Sequence, residues 1–295
     1  MTTEKDELHR FIFDNLPVRG ERVQLQASWK AVLDRHDYPP VIREVLGEAM
    51  AAAVLLSASI KFLGSITLQI QSTGPVSMLV VQVKTDKTLR AIASYDEDLD
   101  IKPGLKNMFG EAQLVITIEM ESASERYQGI VALGETSIAA ALEEYFRSSE
   151  QLETRLWLTA DENIAAGFLL QQMPGERSTY EEDDDWNRLL LLTQTLKEEE
   201  LKTLAVKTLL ERLYSEDDVR LFAADKVKFA CDCSKEKIEK TLLTLGREEV
   251  VSILEEQGEV GVDCNFCNQH YSFDSIDVET MFAKGPRVHM PETRH

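Results

Sequence analysis

All four cysteines of the 295-residue chain lie close together near its carboxyl end. Cys231 and Cys233 form a C-x-C pair, and Cys264 and Cys267 form a C-x-x-C pair after 30 intervening residues. Two such pairs, brought together by a small fold, offer four soft thiolates in a tetrahedron, which is the arrangement that zinc prefers in closed sites. The sequence therefore predicts one Zn²⁺ per chain in the reduced protein, with an iron–sulfur centre or no metal as the alternatives.

No other residue pattern indicates a reactive site. His270 lies three residues beyond Cys267, but four sulfurs already complete a tetrahedral shell, so we expect it to lie beside the ligands or at the surface. We find no glycine-rich phosphate loop, nucleophile elbow or Ser/His/Asp set, and the pattern does not indicate an enzyme. The remaining histidines make no cluster with metal-ligand spacing: His9, His36, His289 and His295.

Composition and charge exclude several classes of protein. Apolar residues make up 43% of the chain, as in a globular protein, and the net charge of −20 opposes binding to nucleic acid. The most apolar stretch, residues 49–64, contains two serines and Lys61, and it is shorter than the roughly 20 apolar residues that a membrane span needs. We expect a buried helix there and no membrane association. The charged start and the few cysteines favour a reducing cytoplasm.

The first part of the chain, residues 1–177, has the pattern of an α+β domain. Strand-like alternation recurs without a helix between most of the strands, which predicts antiparallel pairing. Helical stretches are expected around residues 41–63 and 137–149. The predicted strands are Ser65–Gln71, Val76–Val83, Thr88–Tyr95, Gln113–Glu119 and Arg126–Leu133.

Residues 178–230 form a predicted amphipathic helical linker. An acidic run over residues 181–185 suits the start of a helix, where the macrodipole is positive. An apolar stripe at three- and four-residue spacings follows it, on otherwise charged helices. Since this segment cannot form a core by itself, we expect the stripe to pack on a neighbouring domain. The stripe consists of Leu189, Leu192, Leu196, Leu210, Leu213 and Tyr214.

Residues 231–295 form a small predicted zinc-binding domain. Ser234 suits the N-cap of a helix that ends at Gly246, a second helix ends at Gly258, and a hairpin follows whose turn holds the second cysteine pair. A core of this size rarely supplies more than ~3–5 kcal/mol, whereas zinc contributes on the order of 10–16 kcal/mol, so the fold and the metal should be lost together. Each cysteine pair is also close enough for a local disulfide, which would remove the metal-binding thiolates.

The cysteine spacing and several phrases resemble the Hsp33 family of redox-regulated bacterial chaperones along essentially the whole chain. The phrases are "VKFACDCSKEKIEKTLLTLG", "LHRFIF", "VRGE", "HDYPP", "ERYQGIV", "EYFRSSEQLETRL" and "LLQQMP". The family's four zinc ligands correspond one for one to Cys231, Cys233, Cys264 and Cys267. The resemblance implies a chaperone that is inactive when reduced and zinc-bound.

The resemblance also implies a switch. Peroxide with unfolding stress, or hypochlorous acid, would oxidise Cys231 with Cys233 and Cys264 with Cys267 to two disulfides, and zinc would leave. The C-terminal domain and the linker would then unfold and hold unfolding client proteins without ATP. The oxidised protein would form a homodimer, and reduction would let clients pass to ATP-dependent foldases.

Two other classes of protein remain open. A constitutive zinc-binding module would use the metal only to hold its fold. A thiol oxidoreductase would use the C-x-x-C of Cys264 and Cys267, but such a motif usually accompanies a βαβ pattern, and here it follows a hairpin strand. We rank the oxidoreductase last.

Overall fold

The computed structural model describes residues 6–59, 64–120, 126–134, 137–173 and 180–284. The chain divides into two compact units, Met1–Ala230 and Cys231–His295. Mixed helices and antiparallel sheets confirm the predicted α+β class.

The first unit is built on two sheets. The strands of the first sheet are β1 (Glu7–Phe13), β2 (Val18–Leu25), β8 (Thr154–Ala160), β9 (Ala165–Gln172), β10 (Val219–Leu221) and β11 (Asp225–Lys226). Their order is β10-β1-β2-β9-β8, and β11 also pairs with β1. The strands of the second sheet are β3 (Gly64–Ser72), β4 (Val76–Lys84), β5 (Thr88–Tyr95), β6 (Ala112–Met120), β7 (Arg126–Ala132) and β12 (Lys228–Phe229). Their order is β12-β5-β4-β3-β6-β7, antiparallel except that β12 runs parallel to β5.

A buried helix occupies the space between the two sheets. Helix α2 (Pro40–Ser59) contacts strands of both, and its residues Ala49 to Leu56 are almost completely inaccessible to solvent. This confirms the buried helix predicted from the most apolar stretch, although residues 60–63 lie outside the described chain. No helix among the described residues has the length and apolarity to cross a membrane. The other helices before residue 174 are α1 (Ala27–Leu33), α3 (Leu105–Phe109) and α4 (Ile138–Tyr145), which continues as a π-helical turn, Phe146–Glu150.

The five predicted strands are confirmed to within two residues at each end. Alternation places Ile66, Leu68 and Ile70 of β3 on the buried face, and Leu68 pairs with Val81 of β4 and Ile116 of β6. Period-2 alternation thus identified these strands because one face of the sheet covers the core.

Helices occupy only part of residues 178–230, although the sequence pattern predicted a helical linker over the whole segment. It contains α5 (Tyr180–Thr193), α6 (Glu198–Thr203) and α7 (Val206–Leu213), and it then returns to the sheets as β10, β11 and β12. Residues 174–179 and the side chains of residues 180–183 lie outside the described chain. The three short return strands carry almost no local alternation, and their pairing depends on partners more than 130 positions away.

The second unit contains the predicted helices and hairpin. The Ser234 side chain accepts a hydrogen bond from the backbone N–H of Lys237 and caps α8 (Lys235–Leu245), and Gly258, with a φ of 82°, ends α9 (Arg247–Gln257). Strands β13 (Val260–Asp263) and β14 (His270–Phe273) form the hairpin, and α10 (Ser275–Lys284) was not predicted. The buried core consists of Leu242, Val250, Val260, Phe273, Val278 and Met281.

Candidate metal centre and the covered sheet face

The two cysteine pairs lie on irregular backbone, one pair at the start of the second unit and the other near the middle of its sequence. Cys231 and Cys233 occupy residues without regular secondary structure between β12 and α8. Cys264 and Cys267 occupy the turn of the β13–β14 hairpin, where the backbone N–H groups of Cys267 and Asn268 donate to the carbonyl of Cys264 at 3.2 and 2.7 Å. Asn268 adopts a φ of 56°, a left-handed conformation that asparagine tolerates. The turn thus places both of its sulfurs on one side.

The structure brings all four predicted sulfurs into one cluster. Cys231 Sγ lies 3.7 Å from Cys264 Sγ, Cys233 Sγ lies 3.4 Å from Cys267 Sγ, and all four atoms are within 4.8 Å of one another. Four sulfurs at ~2.3 Å from a central zinc ion would be about 3.8 Å apart. The cluster therefore fits a single tetrahedral ion. Among the described residues it is the one group of cysteine, histidine or acidic side chains with this arrangement.

A second feature lies in the first unit, where the linker helices cover one face of the first sheet. We call this sheet surface the covered face; it consists of Phe11, Phe13, Val18, Ala166, Phe168 and Leu170. Within this face the ring centroids of Phe11 and Phe168 are 5.5 Å apart. The ring of Phe13 packs against Tyr214 of the linker, with centroids 5.0 Å apart. The helices and the residue after them contribute Trp186, Leu189, Leu201, Leu209, Leu210, Leu213 and Tyr214.

The covered face confirms that the apolar stripe is buried. Leu189, Leu210, Leu213 and Tyr214 are at most 5% exposed, while Leu192 and Leu196 are partly buried against the same cluster. The sequence pattern identified the helix side of this interface. It did not identify the sheet side, because the sequence does not specify that β1, β2 and β9 pair with one another.

Comparison with known proteins agrees with this arrangement of an α+β unit and a cysteine-rich unit. The sequence matches the family described as Hsp33 protein over residues 6–274. The chain belongs to the Hsp33 family. A 33 kDa chaperonin of Nitrosococcus oceani is 48% identical over 291 residues, which cover 99% of each chain. A 33 kDa chaperonin of Shewanella sp. strain W3-18-1 is 44% identical over 288 residues, covering 98% of this chain and 99% of the relative.

A solved Hsp33 homologue has the same fold. The crystal structure of the 33 kDa chaperonin from Thermotoga maritima superposes with a TM-score of 0.78 at 23% identity, covering 94% of this chain and 97% of that chain. At this level of identity the likeness concerns the fold alone. It confirms the α+β architecture along nearly the whole sequence.

Within this Hsp33 family member, burial makes the cysteine cluster unfavourable for isolated thiolates. Desolvation raises the pKa of Cys264, and it raises the pKa of Cys267 to about 12. A cation at the centre of the sulfurs would reverse this preference, because an adjacent positive charge stabilises thiolates. The donor set is therefore chemically matched to a soft divalent metal.

Tyr271 is a neighbour of the cluster that sequence reasoning missed. Its hydroxyl donates to Cys233 Sγ at 3.2 Å, and this hydrogen bond, together with some desolvation, raises the pKa of Tyr271 to about 12. The hydroxyl therefore keeps its proton at neutral pH. The spacing of Tyr271, directly after His270 on β14, carried no signal for this contact.

His270 is not part of the sulfur cluster. Its ring is exposed, and its Nδ1 lies 2.7 Å from Oδ1 of Asp263, the residue before Cys264. This pair joins the two strands beside the cysteine turn, where Asp263 and His270 are register partners. Of the other histidines, His9 and His36 lie in the first unit, and His289 and His295 lie outside the described residues.

Proposed function

We propose that this protein is a redox-regulated, ATP-independent holdase whose reduced, zinc-bound form is inactive. The observation that carries the proposal is the convergence of Cys231, Cys233, Cys264 and Cys267 on one point of a unit whose buried apolar cluster, among the described residues, has only six members. Family membership supports a chaperone role in which unfolding proteins are the clients. The protein would act by binding and would not be an enzyme.

In this proposal the four cysteines hold one Zn²⁺ per chain. When bound, zinc would supply most of the folding free energy of the second unit, on the order of 10–16 kcal/mol for such sites. The cysteines would do this by joining the segment just before α8 to the hairpin turn, two segments about 30 residues apart in sequence. Tyr271 would support Cys233 by donating a hydrogen bond to its thiolate.

Oxidation would remove the ligands in two steps. Formation of each disulfide removes two electrons from a pair of zinc-binding thiolates, and one hydrogen peroxide molecule takes up these electrons and two protons from solvent to give two water molecules. The bridges would be Cys231 with Cys233 and Cys264 with Cys267, the neighbours in sequence. In the folded cluster Cys231 Sγ lies 3.7 Å from Cys264 Sγ and Cys233 Sγ lies 3.4 Å from Cys267 Sγ, well beyond the ~2.05 Å of a disulfide bond, so these sulfurs are in contact but not bonded.

The chain would connect this chemistry to the covered face through the linker. We propose three functional parts: residues 1–177 as the core domain, 178–230 as the linker and 231–295 as the redox switch. Strand β12 ends at Phe229, two residues before Cys231, so loss of structure in the switch would reach the last linker strand directly. Release of α5–α7 would then uncover the apolar sheet surface for unfolding clients.

The remaining parts of the proposal concern partners and location. The oxidised chain would form a homodimer, and reduction would pass clients to ATP-dependent foldases. Four cysteines in 295 residues are too few for a secreted disulfide scaffold, which favours action in the reducing cytoplasm.

One experiment tests the proposal. Purified, zinc-loaded protein is treated with peroxide at mildly elevated temperature, and zinc release, free thiols and aggregation of a thermally unfolding client are followed together. We expect zinc release, loss of all four thiols and suppression of aggregation to appear in parallel, with disulfide mapping giving the two local bridges. A constitutive zinc module would lose its fold under the same treatment without suppressing aggregation, and that result would refute the proposal.

A further inference from the structure

Besides the apolar contacts, the core attaches to the linker by polar contacts at one short helix, α6. Helix α6 ends against strand β2, where a guanidinium group lies beneath it. Arg22 is only 2% exposed, and its Nη2 donates to the backbone carbonyls of Leu201 and Leu204 at 2.9 and 3.0 Å. Carbonyls in the last turn of a helix have no partner within the helix, and they carry the negative end of its dipole. Arg22 therefore caps α6 from the core.

A second side chain of the same strand extends this contact. Gln24 lies two residues beyond Arg22, and its Nε2 donates to the carbonyl of Lys202 at 2.6 Å. The Lys202 ammonium group in turn lies 2.8 Å from Oδ2 of Asp161, in the β8–β9 turn. Leu201, on the same helix, is 2% exposed and packs in the apolar cluster. Four polar contacts, three at backbone carbonyls and one at the Lys202 ammonium group, thus fix the position of α6 on the sheet.

The buried guanidinium of Arg22 depends on α6 for its hydrogen-bond acceptors. Burial lowers the pKa of Arg22 to about 10, so the guanidinium remains charged at neutral pH. Its Nε has no hydrogen-bond partner among the described residues, which leaves the two α6 carbonyls as its main acceptors. When α6 departs, water can hydrate the exposed guanidinium. A clamp of this kind specifies one docked position and still permits release, unlike a purely apolar contact.

A second arginine, Arg212, links α6 to the neighbouring linker helices. Arg212 of α7 lies 2.7 Å from Oε1 of Glu200 in α6, and its Nη2 donates to the carbonyl of Thr195, just after α5, at 3.1 Å. The three linker helices are therefore tied to one another as well as to the sheet. Loss of the α6 contact weakens the attachment of all three.

We propose that Arg22 is a positioning residue that sets the threshold for linker release, because it holds the C-terminal carbonyls of α6 on the core sheet. This inference rests on the proposed function, in which linker release activates the chaperone. It assigns a role to a residue remote in sequence from the cysteines. Weakening the clamp leaves the metal cluster intact and lowers the oxidant concentration needed for release.

The test uses the full chain, reduced and zinc-loaded, with the variants Arg22→Gln and Arg22→Lys. Hydrogen exchange over residues 198–204 is expected to be roughly 10- to 100-fold faster in Arg22→Gln, the range for loss of hydrogen bonds to a charged group. Arg22→Lys keeps the charge and should restore part of the protection. The matched control is Arg155→Gln, on β8 of the same sheet, which lies near Glu143 and Glu153 and should leave α6 unchanged.

A second, milder variant keeps the inference testable if Arg22→Gln does not fold. Gln24→Met removes the bond to Lys202 and keeps Arg22, and it should accelerate exchange in α6 to a smaller extent. Zinc content should equal that of the parent in every variant. Release of residues 180–213, followed by exchange during an oxidant titration, should occur at lower oxidant concentration in both Arg22→Gln and Gln24→Met.

Two results overturn the inference. The first is hydrogen exchange in α6 that is as slow as in the parent in both Arg22→Gln and Gln24→Met. The second is faster exchange in α6 without any change in the oxidant concentration at which residues 180–213 are released. The proposed function fails separately. If the oxidised parent does not suppress client aggregation, the holdase assignment is wrong, whatever the exchange data for Arg22 show.

Discussion

Replacement of one buried leucine in the linker should activate the protein without oxidation. Leu189 of α5 is fully buried in the apolar cluster, whereas Leu191, two residues further along the same helix, is 65% exposed. We predict that Leu189→Ala loosens the linker in the reduced, zinc-loaded protein and that Leu191→Ala does not. The two variants remove the same atoms from the same helix, so they differ only in burial.

The expected size of the effect follows from burial. A Leu→Ala change in a packed core costs about 2–5 kcal/mol, which includes the cavity that remains. Each 1.4 kcal/mol is a factor of about ten in an opening equilibrium, so exchange in α5–α7 should accelerate by roughly 30-fold to several thousand-fold. A surface change such as Leu191→Ala stays within about 0.5 kcal/mol, or a factor of about two.

Hydrogen exchange over residues 184–213, limited proteolysis and an aggregation assay measure the outcome, with zinc content as the check on the metal site. In Leu189→Ala we expect faster exchange, cleavage within the linker and partial suppression of aggregation before any oxidant is added. If the two variants exchange at the same rate, burial of the stripe on the covered face does not hold the linker. If Leu189→Ala loosens the linker but remains dependent on oxidant for activity, linker release is not the activating event.

The other predictions concern the metal, pH and the core. Cys264→Ser should reduce bound zinc from one equivalent to less than half, by elemental analysis, and should abolish exchange protection in residues 235–284 while strands of the first unit keep theirs. Burial, assisted by neighbouring acidic residues that include Glu198 of α6, raises the pKa of Glu48 to about 7. Because the pKa of this carboxyl is higher in the folded protein than in the unfolded chain, the protein loses stability as pH rises from about 4.5 to 7. The melting temperature should therefore be lower at pH 8 than at pH 6, and Glu48→Gln should reduce that difference. Gly129→Ala should lower the melting temperature of the first unit at unchanged zinc content, because the added Cβ would lie 2.3 Å from the ring of Tyr145; an unaltered melting curve would show that the ring moves freely.

The chemistry of the cysteine cluster could be predicted from the sequence because it depends on residue type and spacing. A thiolate is a soft ligand wherever it lies, and two close pairs in a unit too small for a large core need an external source of stability. The same holds for β3 to β7 and for α2, where alternation or continuous apolarity reports directly on which side of an element is buried. These features are local, and their physical cause acts over a few residues.

The tertiary structure alone decided what the linker rests on. Phe11, Phe13 and Phe168 form one surface only after β1, β2 and β9 have paired, and no period within any one strand specifies that pairing. Arg22 reads in the sequence as an ordinary charged residue of a strand, yet the fold buries it beneath a helix about 180 positions later. Tyr271 likewise reaches Cys233 through the hairpin. Side-chain chemistry is encoded position by position, whereas burial and partnership arise from long-range pairing, and the control of the proposed switch depends on both.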